Sequence, residues 1–125
     1  MNDCDVCIGG FDVDLAASST MATPKARKEH RCSECLRTIL KGEIYQRVSL
    51  LDRDYGWETF ITCATCAEIR KAFTCDGPET FGGMLWNDMV DYAFPDLNES
   101  CFDKLQTVEA KKYLRERWMK WKGLL

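Results

Sequence analysis

Apolar and polar positions change their period several times along the chain, and each change predicts an element. From Ile44 to Leu50 they alternate singly, with Ile44, Gln46 and Val48 set against Tyr45, Arg47 and Ser49, which is the period of a strand. Asp52-Arg-Asp-Tyr-Gly56 is a turn cluster. Trp57-Glu-Thr-Phe-Ile61 is rich in aromatic and β-branched residues, so the two runs predict an antiparallel hairpin. From Cys63 to Phe73 the period lengthens, placing Cys66, Ile69 and Phe73 on one helical face with Thr62 as its cap, and Thr74-Cys-Asp-Gly-Pro78 ends that helix. A second helix is expected from near Gly83 to just before Pro95, with Phe81, Leu85, Met89 and Ala93 in line, flanked by Trp86 and Val90. Ser100 with Asp103 suits a short helical turn. Thr107 caps a final helix from Val108 to about Lys122, with an apolar stripe of Ala110, Leu114, Trp118, Trp121 and Leu125 beside a basic arc of Lys111, Arg115 and Lys122.

Upstream the pattern is weaker. Residues 15–24 are small and polar, and Pro24 biases Thr23 away from helix, so they read as a linker or an irregular crossing strand. Arg37-Thr-Ile-Leu-Lys-Gly42 reads as a turn back into a strand, with Gly42 at positive φ. These elements make an α+β chain with two expected units: a zinc-binding domain over residues 1–78, and a helical extension over 79–125 packed on it.

The cysteines supply the chemistry. Cys32-Ser-Glu-Cys35 precedes the hairpin and Cys63-Ala-Thr-Cys66 opens the first helix. A two-residue gap lets both thiolates of a pair turn onto one Zn²⁺ at about 2.3 Å, and two such pairs complete a closed tetrahedral shell. A closed shell has no position for a reactive water, so the expected role is structural. Cys63 and Cys66 sit in a first helical turn, where the free N–H groups and the helix dipole stabilise negative sulfur. A third pair, Cys4-Asp-Val-Cys7, is followed by Ile8-Gly-Gly. It points to a second zinc, with Cys75 and Cys101 as the remaining thiols and His30 competing for a place. The expected cofactor is therefore two Zn²⁺ ions.

Composition narrows the functional classes. A hydrophobic fraction of 46% over 125 residues is enough for a core, so metal supplements burial. The N-terminus lacks a basic segment followed by an apolar run, and no apolar stretch approaches the roughly 18 residues that span a bilayer. A reducing cytosol is the expected location, where repeated Cys-x-x-Cys favours metal over disulfides. Charge is uneven. Asp3, Asp5, Asp12 and Asp14 make the start acidic, and Glu68 to Asp103 is acidic again. Lys25-Ala-Arg-Lys-Glu-His-Arg31 is basic, as is the final helix. Enzyme classes fit poorly. One histidine is too few for a nuclease that polarises water on a catalytic cation, no His-x-Glu accompanies the cysteines as a deaminase needs, and no glycine-rich phosphate loop follows a strand.

A knuckle, a hairpin and then a helix starting at the second cysteine pair resembles the treble-clef zinc finger over residues 32–73. It departs in one place: Leu36-Arg37 follows the first pair where a glycine is common. Residues 25–90, through Lys25 to Cys35, Lys41-Gly-Glu-Ile-Tyr45, Trp57-Glu-Thr-Phe60 and Thr62 to Cys66, also resemble small zinc-binding proteins of tailed bacteriophages. That resemblance implies a place of action, the host bacterial cytosol, and no activity. The expected function is protein–protein interaction with a host factor, as an inhibitor of host defence or metabolism, with neither membrane nor small-molecule substrate. The acidic stretch 76–103 and the aromatic-basic final helix are the surfaces for it. The alternative is DNA or RNA binding through Lys25, Arg27, Lys28 and Arg31, with Trp57 of the hairpin.

Overall fold

The structure is a computed structural model, and it describes residues 4–8, 18–52, 54–75 and 83–124. Phe81 and Leu125 of the expected stripes, Gly9 and Gly10, and most of the break after Thr74 lie outside these residues. Among the described residues there are five strands and three α-helices. β1 (Ser18–Ala22), β4 (Tyr45–Asp52) and β5 (Gly56–Cys63) form an antiparallel sheet in the order β1-β4-β5, while β2 (His30–Arg31) and β3 (Thr38–Ile39) pair separately. The predicted hairpin is β4–β5, with Tyr45 opposite Cys63 and Asp52 opposite Gly56. Gly56 has φ 83° at the tip and Gly42 φ 96° in the turn before β4, two turns that call for the glycine conformation. The stretch read as linker or crossing strand is β1, laid along β4 with Met21 opposite Val48.

The alternation along β4 assigns the two faces of the sheet. Gln46 accepts a hydrogen bond from Arg70 at 2.8 Å, and Arg70 belongs to α1 (Ala64–Phe73), so the face of Gln46 and Val48 lies toward α1. Tyr45 points the other way and stacks on His30 of β2, ring centroids 4.8 Å apart. Arg47, Ser49 and Leu51 share that second face, together with their partners Ile61, Thr59 and Trp57. The Ser49 and Thr59 hydroxyls meet across it at 3.0 Å.

The helices bury the stripes expected of them, with altered ends. Cys66, Ile69 and Phe73 of α1 are wholly shielded, each of the two large apolar groups stabilising the fold by about 1.5–3 kcal/mol. Cys63, rather than Thr62, caps α1: its sulfur accepts from Cys66 N. Thr62 instead turns inward to accept from Arg70 at 2.9 Å. α2 (Leu85–Asp88) is short and widens into a π-helical turn over Met89–Ala93, then tightens to a 3-10 turn over Phe94–Asp96. Helical backbone thus runs through Pro95 rather than stopping before it. The wider turn accommodates a residue that cannot donate an N–H and whose ring crowds the carbonyl four residues back. A 3-10 helix over Glu99–Lys104 follows, capped by Asn98 rather than Ser100. α3 (Val108–Trp121) starts at Thr107, whose hydroxyl accepts from Ala110 N. Ala110, Leu114 and Trp118 are buried, whereas Trp121 is 44% exposed. One apolar core joins Val6, Ile8, Ile69, Phe73, Leu85, Phe102, Leu114 and Trp118.

Candidate metal centre

Cys32 follows β2, Cys35 closes the turn that follows, Cys63 ends β5 and Cys66 lies in the first turn of α1. Pairing of Arg31 with Thr38 draws the knuckle into a loop, and Ser33 N, bonded to Ile61 O at 2.7 Å, fastens it to the edge of β5. Leu36 has φ 66°, the left-handed conformation that glycine adopts most easily, and it stands at the position where the sequence departs from the common glycine. The knuckle therefore keeps its tight turn with a side chain in place.

The result brings all four Sγ atoms within 4.8 Å of one another. The Cys35 and Cys63 sulfurs are 3.8 Å apart, the edge of a tetrahedron whose centre is about 2.3 Å from each corner. Cys63 N approaches Cys32 Sγ at 3.3 Å and Cys66 N approaches Cys63 Sγ at 3.4 Å, so backbone N–H groups already face two of the sulfurs. Cys32, Cys63 and Cys66 are buried and Cys35 is half-buried. This set fits a metal ion such as zinc, held by four thiolates.

The sulfurs compete for protons as one group. Hydrogen bonds with Cys35, then with Cys63 and Cys66, hold the Cys32 thiol far below its usual range. Hydrogen bonds with Cys32, Cys35 and Cys63, added to burial, push Cys66 far above it. Cys35 is raised as well, chiefly by Cys32. Cys63 is raised by its bond with Cys32 but lowered more by Cys35 and Cys66, and comes to about 6. Four adjacent sulfurs cannot all ionise without a cation to compensate them, and a divalent metal supplies that compensation. Arg37 adds a cation at the rim. Its guanidinium is raised first by Glu43, at 2.7 Å, and then by Cys63. A cleft of about 300 Å³ between the knuckle and α3 reaches Cys35 and Cys63, walled by Arg37, Lys112 and Tyr113.

The remaining cysteines depart from the expectation of a second zinc. Cys4 is bonded to Cys101 and Cys7 to Cys75, as disulfides. Burial alternates through Cys4, Asp5, Val6, Cys7 and Ile8, with positions 4, 6 and 8 buried and 5 and 7 exposed. A chain alternating in this way turns residues three apart to opposite sides, so Cys4 faces the core and Cys7 faces outward. A two-residue gap converges on one metal only where the backbone turns, as it does at Cys32 and Cys35. Ile8 continues along the end of α1, its N–H bonded to Phe73 O at 2.9 Å. His30, the other proposed ligand, lies against the Tyr45 ring.

Lys25, Arg27, Lys28 and Arg31 are all exposed, beside the knuckle rather than in it. Ala26 N bonds Glu43 O and Gly42 N bonds Ala26 O, both at 2.8 Å, so the basic run lies along the turn that leads into β4. Trp57 is 57% exposed on β5. Sequence reasoning did not single out Arg70 and Glu34, the buried pair behind the knuckle, because each reads alone as an ordinary surface charge. Among the described residues no helix is long and apolar enough to cross a membrane. No family model, curated protein or solved structure matches this chain.

Proposed function

We propose that the chain is a zinc-stabilised binding module of treble-clef type, without catalytic chemistry, whose knuckle lobe holds the phosphate backbone of a nucleic acid. The observation that carries this is the placement of exposed cations. Residues 25–47 contain seven Lys or Arg against three Glu in a chain of net charge −3. One of those glutamates, Glu34, is buried against Arg70, and Glu43 is engaged by Arg37. Lys25, Arg27, Lys28, Arg31, Lys41 and Arg47 stay exposed. Phosphate contacts need this: cations held by a folded backbone and still open to solvent. The metal fixes the knuckle next to Arg31, so its role is to hold the surface in shape.

Docking on a host protein through α3, as a phage-encoded inhibitor acting in a bacterial cytosol would do, has less surface to draw on. Trp118 is buried, Arg117 lies 4.3 Å over the Trp86 ring and Lys122 lies 3.6 Å over Trp118. The helix thus directs much of its aromatic and basic character into the molecule.

The test is electrophoretic mobility shift or fluorescence anisotropy with mixed-sequence oligonucleotides over 20–300 mM salt, a range of about one decade. Binding through several phosphates falls steeply as salt rises. The triple variant Lys25→Glu, Arg27→Glu, Lys28→Glu should abolish it with zinc content unchanged. A salt-independent affinity, or one that survives the charge reversal, would sink the proposal and return a protein partner to the front.

A further inference from the structure

The face of the sheet that carries Tyr45 and β2 extends the basic lobe, and it ends in an aromatic. From Tyr45 along β4 this face presents Arg47, Ser49 and Leu51, and along β5 it presents Ile61, Thr59 and Trp57. Arg47 and Thr59 are exposed, while Ser49, Leu51 and Ile61 are half-buried, so the strip is partly open, with Arg47 as its cation and two hydroxyls at its middle. Trp57, opposite Leu51, is 57% exposed at its far end, and six residues at about 3.3 Å each put it roughly 20 Å along the strand from Tyr45. The other tryptophans differ. Trp86 and Trp118 are both 5% exposed, and Trp121 packs on Phe94 at 5.7 Å. An aromatic ring left largely open at the end of a strip that starts beside the basic run costs solubility and contributes little to the core. It matches a ligand that carries both anionic charge and an apolar flat face.

We infer that this face binds single-stranded nucleic acid, with Lys25, Arg27, Lys28, Arg31 and Arg47 following the phosphates and the Trp57 ring stacking on an unpaired base. A duplex keeps its bases stacked on each other and offers only its edges in the grooves, so it cannot use a flat indole on a sheet surface. A single strand splays its bases outward while its phosphates track a basic groove. Every base has a π-face, so the contact carries little sequence preference. This inference rests on the phosphate-binding reading above and adds to it the class of nucleic acid and the residue that discriminates.

The experiment compares oligo(dT) of about 16 nucleotides with a duplex of equal length, on the zinc-loaded full chain, and follows Trp57→Ala and Trp57→Phe beside the wild type. The expected result is at least tenfold tighter binding of the single strand, with quenched tryptophan emission. Trp57→Ala should lose about ten- to a hundredfold in affinity for the single strand and almost none for the duplex, and Trp57→Phe should recover part of the loss. Because Trp57 is exposed, the variants should keep the wild-type unfolding midpoint and zinc content. Equal binding of single strand and duplex, abolished by charge reversal and indifferent to Trp57→Ala, would overturn the stacking inference and leave phosphate binding standing. No binding of either probe at low salt would overturn both.

Discussion

Arg70 and Glu34 form an ion pair at 3.2 Å with both side chains wholly shut off from solvent. Glu34 lies between Cys32 and Cys35, and its carboxylate also accepts from Gly83 N and Leu85 N at 3.3 and 3.2 Å. Arg70 donates further to Gln46 and Thr62. The pair therefore ties the knuckle, the sheet, α1 and the start of α2 together at one point. Removing one partner strands a buried charge, which costs about 3–5 kcal/mol, whereas removing both together costs less than the sum. Arg70→Met should lower the unfolding free energy from urea titration by that amount. The double variant Glu34→Gln, Arg70→Met should fall short of additivity by more than about 1 kcal/mol. Strict additivity would show that the two side chains act independently.

The four-sulfur site leads to a stoichiometry. Protein purified without added metal should carry one zinc per chain, lost in Cys32→Ser and in Cys66→Ser and kept in Cys4→Ser. The cleft reaching Cys35 and Cys63 gives a chelator a way in, so EDTA should remove the metal without prior unfolding. Apo protein should then melt at a lower temperature than holo protein, by the binding free energy no longer available to the folded state. Metal content measured by plasma emission, with melting followed by circular dichroism, checks both. Retention of the zinc in Cys66→Ser would remove Cys66 from the ligand set.

Local chemistry was readable wherever the signal was local. The hairpin, the helix after Cys63, the Thr107 cap and the gathering of Cys32, Cys35, Cys63 and Cys66 all follow from period, turn residues or spacing within a segment. Cys4 and Cys7 show where spacing fails. The same Cys-x-x-Cys pattern that converges at Cys32 and Cys35 diverges here, because the first is bent by the β2–β3 pairing and the second lies in an alternating segment beside α1. Only the tertiary partner distinguishes the two. The burial of Glu34, Thr62 and Arg70 is illegible for the same reason, since a polar residue gives no sequence sign of being buried until its partners are known. At Pro95 the error was of another kind. A proline is expected to stop a helix, and here the chain passes it by changing helix type.

Glu68 links α1 to the start of α3, and its pH dependence has a defined sign. Its carboxylate accepts from Gln106 N at 2.6 Å, from Thr107 N at 3.1 Å and from the Thr107 hydroxyl at 2.7 Å. Partial burial raises its pKa, but the Thr107 and Gln106 bonds outweigh burial and hold it below the usual glutamate value. A group depressed on folding contributes stability above its unfolded pKa of about 4.3, and that contribution is lost as pH falls through the folded value. Glu68→Gln should therefore cost about 1 kcal/mol at pH 7, discounted for its exposure to water, and less at pH 3. Urea midpoints of the two proteins at both pH values test this. A difference that grows toward low pH would contradict it.

The two disulfides respond to reductant and a metal-loaded four-sulfur site does not, which makes them separable. Cys4–Cys101 and Cys7–Cys75 close separations of 97 and 68 residues, and in chain-entropy terms a loop near a hundred residues is worth about 4–5 kcal/mol. They also hold Val6 and Ile8 in the core, 4% and 0% exposed. A thiol reductant converts each disulfide to two thiols while its own thiols are oxidised, and it leaves metal-bound thiolates as they are. Reduction should thus lower the thermal midpoint while the zinc content stays at one per chain, and proteolysis should then cut near the N-terminus first. Cys7→Ser with Cys75→Ser should reproduce part of the loss without reductant. A different result has a different meaning: if reduction in the presence of zinc raises the metal content to two per chain and leaves the midpoint in place, the four sulfurs gather around a second ion. The alternating segment 4–8 would then have to bend as Cys32 to Cys35 does, and a spectrum of the cobalt-substituted protein would show two tetrathiolate sites instead of one.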